Sequence, residues 1–177
     1  AGSGVTHLVV QLAQLREPGA VIVCASDDAK AERVLELGAD MALHTDELDG
    51  QLTEAARAAA GPGGADLLID CVGEPLFGQL MRALRPGGRA VVYGVAGGTP
   101  AQVHTGALLK HGLTVSGLWL GHGGGEPLAT TLERLFGFWR DGVLTPTLGP
   151  ELPLDQAAEA HRLVAARTGA GKVVLRV

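Results

Sequence analysis

Short apolar runs alternate with helical patterns along the whole chain, and this alternation restricts the fold more than any other feature. The run AVIVCA is continuously apolar, which is typical of a strand that is covered on both faces of a sheet. The same reasoning predicts strands at residues 20–25, 41–44, 66–71, 89–93, 113–120 and 172–177. Strands separated by helices of ordinary length predict an α/β fold with a doubly wound parallel sheet.

Helices are predicted before, between and after these strands. The first follows a Gly-rich turn and ends at Pro18 and Gly19. Ser26, Asp27 and Asp28 are expected to cap the second. Further helices are predicted at residues 49–60, 75–84, 107–111, 126–140 and 154–167. The stretch RPGG at residues 85–88 is expected to be a turn that closes the fourth helix.

Composition excludes several classes of protein. The net charge is -5 and there is no basic run, so nucleic acid is not an expected partner. No stretch approaches the roughly 20 apolar residues that a membrane-spanning helix needs. Cys24 and Cys71 both lie inside apolar runs, which favours buried, reduced thiols in a cytoplasmic protein.

Ligands of doubly wound sheets bind at the carboxyl ends of the strands. Four of these ends carry small or hydroxyl residues, which allow a dinucleotide to approach the backbone closely. The end at 118–120 is bulky and apolar, and we expect it to line one side of the binding site. The turn Gly2-Ser3-Gly4-Val5-Thr6 would present backbone N–H groups and a helix N-terminus to phosphate. Thr6 stands where the third glycine of the dinucleotide motif is expected, so an ordinary Gly-rich turn remains the alternative for this stretch alone.

Five segments then occur in one order: AGSGVTHLVVQLAQ, AKAERVLELGAD, GADLLIDCVGEPLFGQLMRALRPGGRAVVYGVAGG, LLKHGLTVSGLWL and LDQAAEAHRLVAARTGAGKVVLRV. Together they resemble the cofactor-binding half of the medium-chain dehydrogenase/reductase superfamily over essentially all 177 residues. They are most similar to its zinc-independent quinone oxidoreductase (zeta-crystallin-like) and 2-enoyl thioester reductase branches.

The resemblance implies an NAD(P)-binding Rossmann domain at residues 1–177, with its core at 1–168. In the family, the last strand, here 171–177, returns to an N-terminal catalytic domain that resembles GroES. This sequence contains neither that domain nor the first Rossmann strand, so we expect it to be part of a longer enzyme and to bind cofactor poorly by itself.

The residues after the second strand of the family fold indicate the cofactor. Ala25 occupies the position where NAD-specific domains carry an acidic residue for the ribose. Ser26 and Lys30 can hold a 2′-phosphate, so we expect NADPH. NADH stays possible because Asp27 and Asp28 follow directly.

The resemblance also assigns the other cofactor-binding positions. It places the pyrophosphate at Ser3, Gly4, Val5 and Thr6, the ribose and adenine beside Cys71, Val72 and Gly73, and the nicotinamide side beside Tyr93, Gly94, Val95, Ala96, Leu118, Trp119 and Leu120. No catalytic or metal-binding constellation is predicted, because none of the six histidines has Cys or Glu at ligand spacing.

The reaction implied by the resemblance is hydride transfer from NADPH to a quinone or to an α,β-unsaturated carbonyl or enoyl thioester. Three alternatives stay open: the Rossmann half of a zinc-dependent alcohol dehydrogenase, a non-catalytic nucleotide-binding domain, and an enoyl-reductase domain from a multidomain synthase. The resemblance further implies a homodimer joined through the edge strand at residues 113–120.

Overall fold

The computed structural model of the chain describes residues 3–48, 50–98, 101–120, 126–167, 169 and 171–177. Helices and strands alternate as α1 (Gly4–Gln14), β1 (Ile22–Ala25), α2 (Asp28–Glu36), β2 (Met41–His44), α3 (Leu52–Ala60), β3 (Ala65–Asp70), α4 (Leu76–Met81), β4 (Leu84–Val92), α5 (Thr105–His111), β5 (Thr114–Gly117), α6 (Leu128–Arg140), β6 (Leu148–Pro153), α7 (Ala157–Ala166) and β7 (Lys172–Arg176). A short 3-10 helix, Leu154–Gln156, precedes α7.

The chain divides into two compact units. Unit 1 comprises Ala1–Asp46 and Leu128–Val177, and unit 2 comprises Glu47–Pro127. In unit 1, β1 pairs with β2 and β6 pairs with β7, both in parallel. Its core contains Val10 of α1, Val23 of β1 and Val34 of α2, so both helices bury apolar side chains against the first strand pair.

Unit 2 contains the parallel sheet β3-β4-β5. Phe77 and Met81 of α4 pack with Leu84 and Ala90 of β4, and Phe77 is only 1% exposed. This cluster packs α4 against the sheet.

All strand pairs in the described part of the chain are parallel, which confirms the predicted α/β class. The strands form three groups, β1-β2, β3-β4-β5 and β6-β7. Within the described residues, β1 and β3 therefore each pair along one edge only.

The strands differ from the sequence analysis at two places. Residues 85–88 do not simply close a helix: β4 begins at Leu84, and α4 ends at Met81. Ala65 pairs with Leu84 and Leu67 with Arg89, so the RPGG stretch is a bulge inside the strand pair.

The second difference is β6, which the sequence analysis did not predict. Its sequence LGPELP has two prolines and a glycine, and a proline cannot donate to a strand ladder. It forms because β7 lies beside it, with a register shift between Leu148 and Glu151 that accommodates Pro150.

None of the helices in the described ranges is both long enough and apolar enough to cross a bilayer.

Candidate functional site

The N-terminus of α1 offers hydrogen-bond donors to an anion. Ser3 is its N-cap: the Ser3 hydroxyl accepts a hydrogen bond from the backbone N–H of Thr6 at 3.1 Å and lies 2.9 Å from the Thr6 hydroxyl. The first turn contains no acidic residue. The predicted pyrophosphate-binding residues Ser3, Gly4, Val5 and Thr6 thus share one helix N-terminus, the end of a helix at which backbone N–H groups favour an anion.

Lys172, at the start of β7, approaches the same helix end. A Cβ atom placed on Gly4 would be 3.8 Å from the Cε atom of Lys172. Within the described residues Lys172 forms no ion pair. Because a cation near a helix N-terminus is electrostatically unfavourable, a bound anion would relieve this arrangement.

A groove of about 630 Å³ lies at the carboxyl end of β1. It is lined by Ser26, Asp27, Asp28, Ala29, Lys30, Asp46, Ala166, Arg167 and Gly169. Ala25, which ends β1, is neutral and buried. The groove therefore combines two basic side chains with three carboxylates.

Ser26 and Lys30, which the sequence analysis assigns to a 2′-phosphate, both line this groove. The Lys30 ammonium donates to the Ser26 hydroxyl at 2.8 Å and also pairs closely with the Asp27 carboxylate. Lys30 is only 7% exposed. The ammonium is thus already neutralised by a neighbour.

Asp27, rather than Ser26, caps α2. Its side chain accepts from the backbone N–H of Lys30 at 3.0 Å because Asp27 has an extended backbone directly before the first helical residue. The hydrogen bond from the Lys30 side chain also holds the pKa of Asp27 below its usual value. At neutral pH, a carboxylate therefore stands beside the predicted phosphate-binding pair.

The carboxyl end of β3 is organised by Asp70. This residue is 4% exposed, and its carboxylate accepts from the backbone N–H groups of Gly73 at 3.0 Å and Val72 at 3.3 Å. Burial raises the pKa of Asp70, while these two hydrogen bonds oppose the shift. The predicted residues Cys71, Val72 and Gly73 form the turn that the carboxylate holds.

The turn after β4 is bonded to the turn after β3. Ala96 donates from its N–H to the Cys71 carbonyl at 2.8 Å, and Gly97 donates to the Val72 carbonyl at 2.8 Å. The predicted residues Tyr93, Gly94, Val95 and Ala96 therefore adjoin the predicted residues of the neighbouring strand end.

The end of β5 exposes an apolar segment. Leu118 donates from its N–H to the Val92 carbonyl at 2.8 Å, which continues the β4-β5 alignment. The side chains of Leu118, Trp119 and Leu120 are 56%, 71% and 80% exposed. All three residues are available for contact with a ligand or a partner.

The predicted cofactor-binding residues thus form two local groups. Ser3–Thr6, Ser26 and Lys30 belong to unit 1, whereas the residues that follow β3, β4 and β5 belong to unit 2. In the described part of the chain, no three His, Cys, Asp or Glu side chains are grouped as a metal site. His122 lies outside the described residues.

Sequence reasoning missed Arg167 and Lys172. Arg167 lines the groove with Lys30 and has a left-handed backbone at φ 53°, immediately after α7. Both residues come from the last quarter of the chain and reach the site through tertiary packing. The local sequence signal for Arg167 was a basic residue at the end of the helix predicted at residues 154–167.

A family model described as "Zinc-binding dehydrogenase" matches residues 4–136. A curated relative, quinone oxidoreductase-like protein 2 of Bos taurus, is 31% identical over 179 aligned residues. The alignment covers 99% of this chain and 51% of the relative, so the chain spans about half the length of that protein.

Solved structures have the same fold. One described as an NAD-dependent alcohol dehydrogenase has a TM-score of 0.86 and 32% identity, over 100% of this chain and 49% of the other. Quinone oxidoreductase of Escherichia coli complexed with NADPH has a TM-score of 0.84 and 25% identity, over 99% and 55%. The chain therefore belongs to the zinc-binding dehydrogenase family, and it corresponds to the Rossmann-like, nucleotide-binding half of the medium-chain dehydrogenase/reductase superfamily.

Proposed function

We propose that this chain binds NADPH for a zinc-independent reductase that transfers hydride to a quinone or another α,β-unsaturated carbonyl compound. The observation that carries the proposal is the groove after β1, where the Lys30 ammonium and the Ser26 hydroxyl lie 2.8 Å apart. Arg167 lines the same groove, and Ala25 places no carboxylate at the strand end. Two cations and a hydroxyl are suitable ligands for a 2′-phosphate.

The residues of this chain would bind and orient the cofactor. The N–H groups at the start of α1, with the Lys172 ammonium, would hold the pyrophosphate, and Ser26 and Lys30 would hold the ribose phosphate. The turns Cys71–Gly73 and Tyr93–Ala96 and the segment Leu118–Leu120 are proposed to line the adenosine and nicotinamide portions. The bound nicotinamide would supply the hydride.

The names of the relatives support the proposed substrate class. A quinone is a conjugated dicarbonyl, so an enzyme that passes hydride to it also suits enones and enoyl thioesters chemically. Because the chain spans about half of such proteins, the groups that polarise the acceptor are proposed to lie in the other half. The 177-residue chain alone should show little turnover.

A second candidate is the Rossmann half of an NADH-dependent alcohol dehydrogenase. Asp27, Asp28 and Asp46 line the groove after β1, and carboxylates there would accept hydrogen bonds from an unphosphorylated ribose. The similarity to the NAD-dependent alcohol dehydrogenase structure supports the same candidate.

We propose a reducing, cytoplasmic location, in which the thiols of Cys24 and Cys71 stay reduced. Both are half-buried within the described residues. A protein purified without reductant should retain both thiols in a titration of the native state.

Fluorescence titration of the full-length protein with NADPH and NADH tests the proposal. Lys30→Ala should weaken NADPH about tenfold, because it removes a hydrogen bond to a charged group, and should leave NADH nearly unchanged. Arg16→Ala removes the same charge at the C-terminal end of α1 and serves as the control. Equal losses for both cofactors, or no loss for either, would overturn the assignment of Lys30.

A further inference from the structure

We propose that Asp70 is a positioning residue that couples the turn after β3 to the turn after β4, and that cofactor affinity depends on this coupling. The proposal rests on the proposed function, because the two turns carry Cys71–Gly73 and Tyr93–Ala96. Asp70 itself would not touch the cofactor.

Asp70 is a buried carboxylate that forms no ion pair within the described residues. Its two oxygens accept from the backbone N–H groups of Val72 and Gly73, and Gly73 has a φ of 82°, which suits glycine. Burying an unpaired charge is unfavourable for stability. The two hydrogen bonds that the carboxylate accepts from the turn offset part of this free-energy cost.

The second turn bonds to the opposite side of the same residues. Val72 donates its N–H to Asp70, while its carbonyl accepts from the N–H of Gly97 at 2.8 Å. The Cys71 carbonyl accepts from Ala96, and the Asp70 carbonyl accepts from Tyr93 at 2.9 Å. A change in the first turn therefore displaces the acceptors on which the second turn depends.

The turns approach too closely for a side chain between them. A Cβ atom on Gly97 would lie 2.8 Å from the backbone carbonyl oxygens of both Val72 and Glu74. Such a contact is shorter than real Cβ atoms adopt, and both opposing atoms are backbone. Because Gly97 has no side chain, the turn after β4 can lie directly against the turn that the Asp70 carboxylate holds.

Asp70→Asn in the full-length protein tests the proposal. The amide keeps the size of the side chain but replaces one acceptor by a donor, so one of the two N–H groups loses its partner. NADPH should bind to this variant about tenfold more weakly than to the wild type. In the cofactor-free protein, amide hydrogen exchange at Ala96 and Gly97 should accelerate, whereas exchange at Ala90 should be unchanged. Asp66→Asn is the matched control, because Asp66 lies on the same strand, is 79% exposed and pairs with Arg85.

Gly97→Ala perturbs the same contact from the other turn and leaves Asp70 intact, so it decides the question if Asp70→Asn does not fold. Gly63→Ala, in a position with open space around the new methyl group, is its control. If amide hydrogen exchange at residues 71–73 and 93–98 is as slow in both test variants as in the wild-type protein, the proposed role of Asp70 is overturned. Failure of the wild-type protein to bind NADPH would overturn the proposed function and, with it, the dependence of cofactor affinity on Asp70. The coupling of the two turns would still be tested separately, because the exchange measurement needs no cofactor.

Discussion

At the scale of single residues, Asp27 separates the two cofactor candidates. Its carboxylate neutralises Lys30 and adds negative charge where a 2′-phosphate would bind. Asp27→Ser keeps a capping hydroxyl for α2 and releases the ammonium. We predict that NADPH binds about tenfold more tightly and NADH does not, as measured by fluorescence titration.

Asp28→Asn is the control for Asp27→Ser. Asp28 lines the same groove, its side chain is 90% exposed, and it forms no ion pair with Lys30 within the described residues. Its replacement by Asn changes the net charge by the same amount. An equal gain in NADPH affinity for both variants would mean that only the overall charge of the groove matters.

We predict that the buried ring of His7 makes the free energy of unfolding depend on pH. The ring is fully buried in α1, and neither ring nitrogen has a partner within the described residues. Burial, and secondarily the charge of Arg33, lowers the pKa of His7 below its ordinary value of 6.5. In the unfolded chain the ring gains a proton below about pH 6.5, whereas the folded state resists protonation. The free energy of unfolding should therefore decline as the pH falls below 6.5.

Urea unfolding at several pH values tests this prediction. His7→Leu should flatten the decline, by up to about 1.4 kcal/mol per pH unit, without loss of stability at pH 7, because it removes unpaired polar atoms. His161→Gln changes an exposed histidine and should leave the pH profile as in the wild type. An unaltered profile in His7→Leu would assign the pH dependence to other groups.

Local spacing predicted part of the site and tertiary packing supplied the rest. Ser26 and Lys30 are four residues apart across a helix start, and this spacing is why the sequence analysis assigned both to one phosphate; in the structure the two side chains are in contact. The competing bond from the Lys30 ammonium to the Asp27 carboxylate was not predicted, although Asp27 was recognised as a capping candidate. Lys172 reaches α1 only because β7 forms, and no local pattern indicates that approach.

At the scale of elements, short segments rich in apolar residues predicted β1, β2 and β3 to within about two residues, whereas β4 and β6 depend on their partners. β6 lacks an apolar pattern, and the start of β4 contains a proline and two glycines. The pairing of Ala65 with Leu84 extends β4 across these residues. The hydrophobic periodicity of a segment does not indicate which strand it will pair with.

Gly88 allows the β4 bulge to close. A Cβ atom there would lie 2.9 Å from the Arg85 carbonyl oxygen and 3.2 Å from that of Ala65. Gly88→Ala should therefore lower the free energy of unfolding by about 1–3 kcal/mol in urea titrations, as overpacking does. Gly63→Ala, which meets nothing within 4 Å, should change it far less. Equal stabilities of the two variants would show that the bulge relaxes freely.

At the scale of the whole molecule, the assembly prediction concerns the exposed end of β5. Leu113 and Val115 pack into the core of unit 2, and β5 pairs with β4 along one edge. The other edge has no strand neighbour within the described residues, and the apolar side chains that follow it are largely exposed. An apolar strand edge of this kind favours pairing with a second copy about a two-fold axis.

We therefore predict that the full-length protein forms a homodimer through residues 113–120. Leu120→Asp places a charge in the proposed interface and should raise the dimer dissociation constant about tenfold or more, as measured by sedimentation. Leu109→Asp is the control, because Leu109 is 89% exposed on α5 and lies outside that segment. Dimers of Leu120→Asp as tight as those of the control would place the interface elsewhere, and a strictly monomeric wild type at micromolar concentration would contradict the dimer itself.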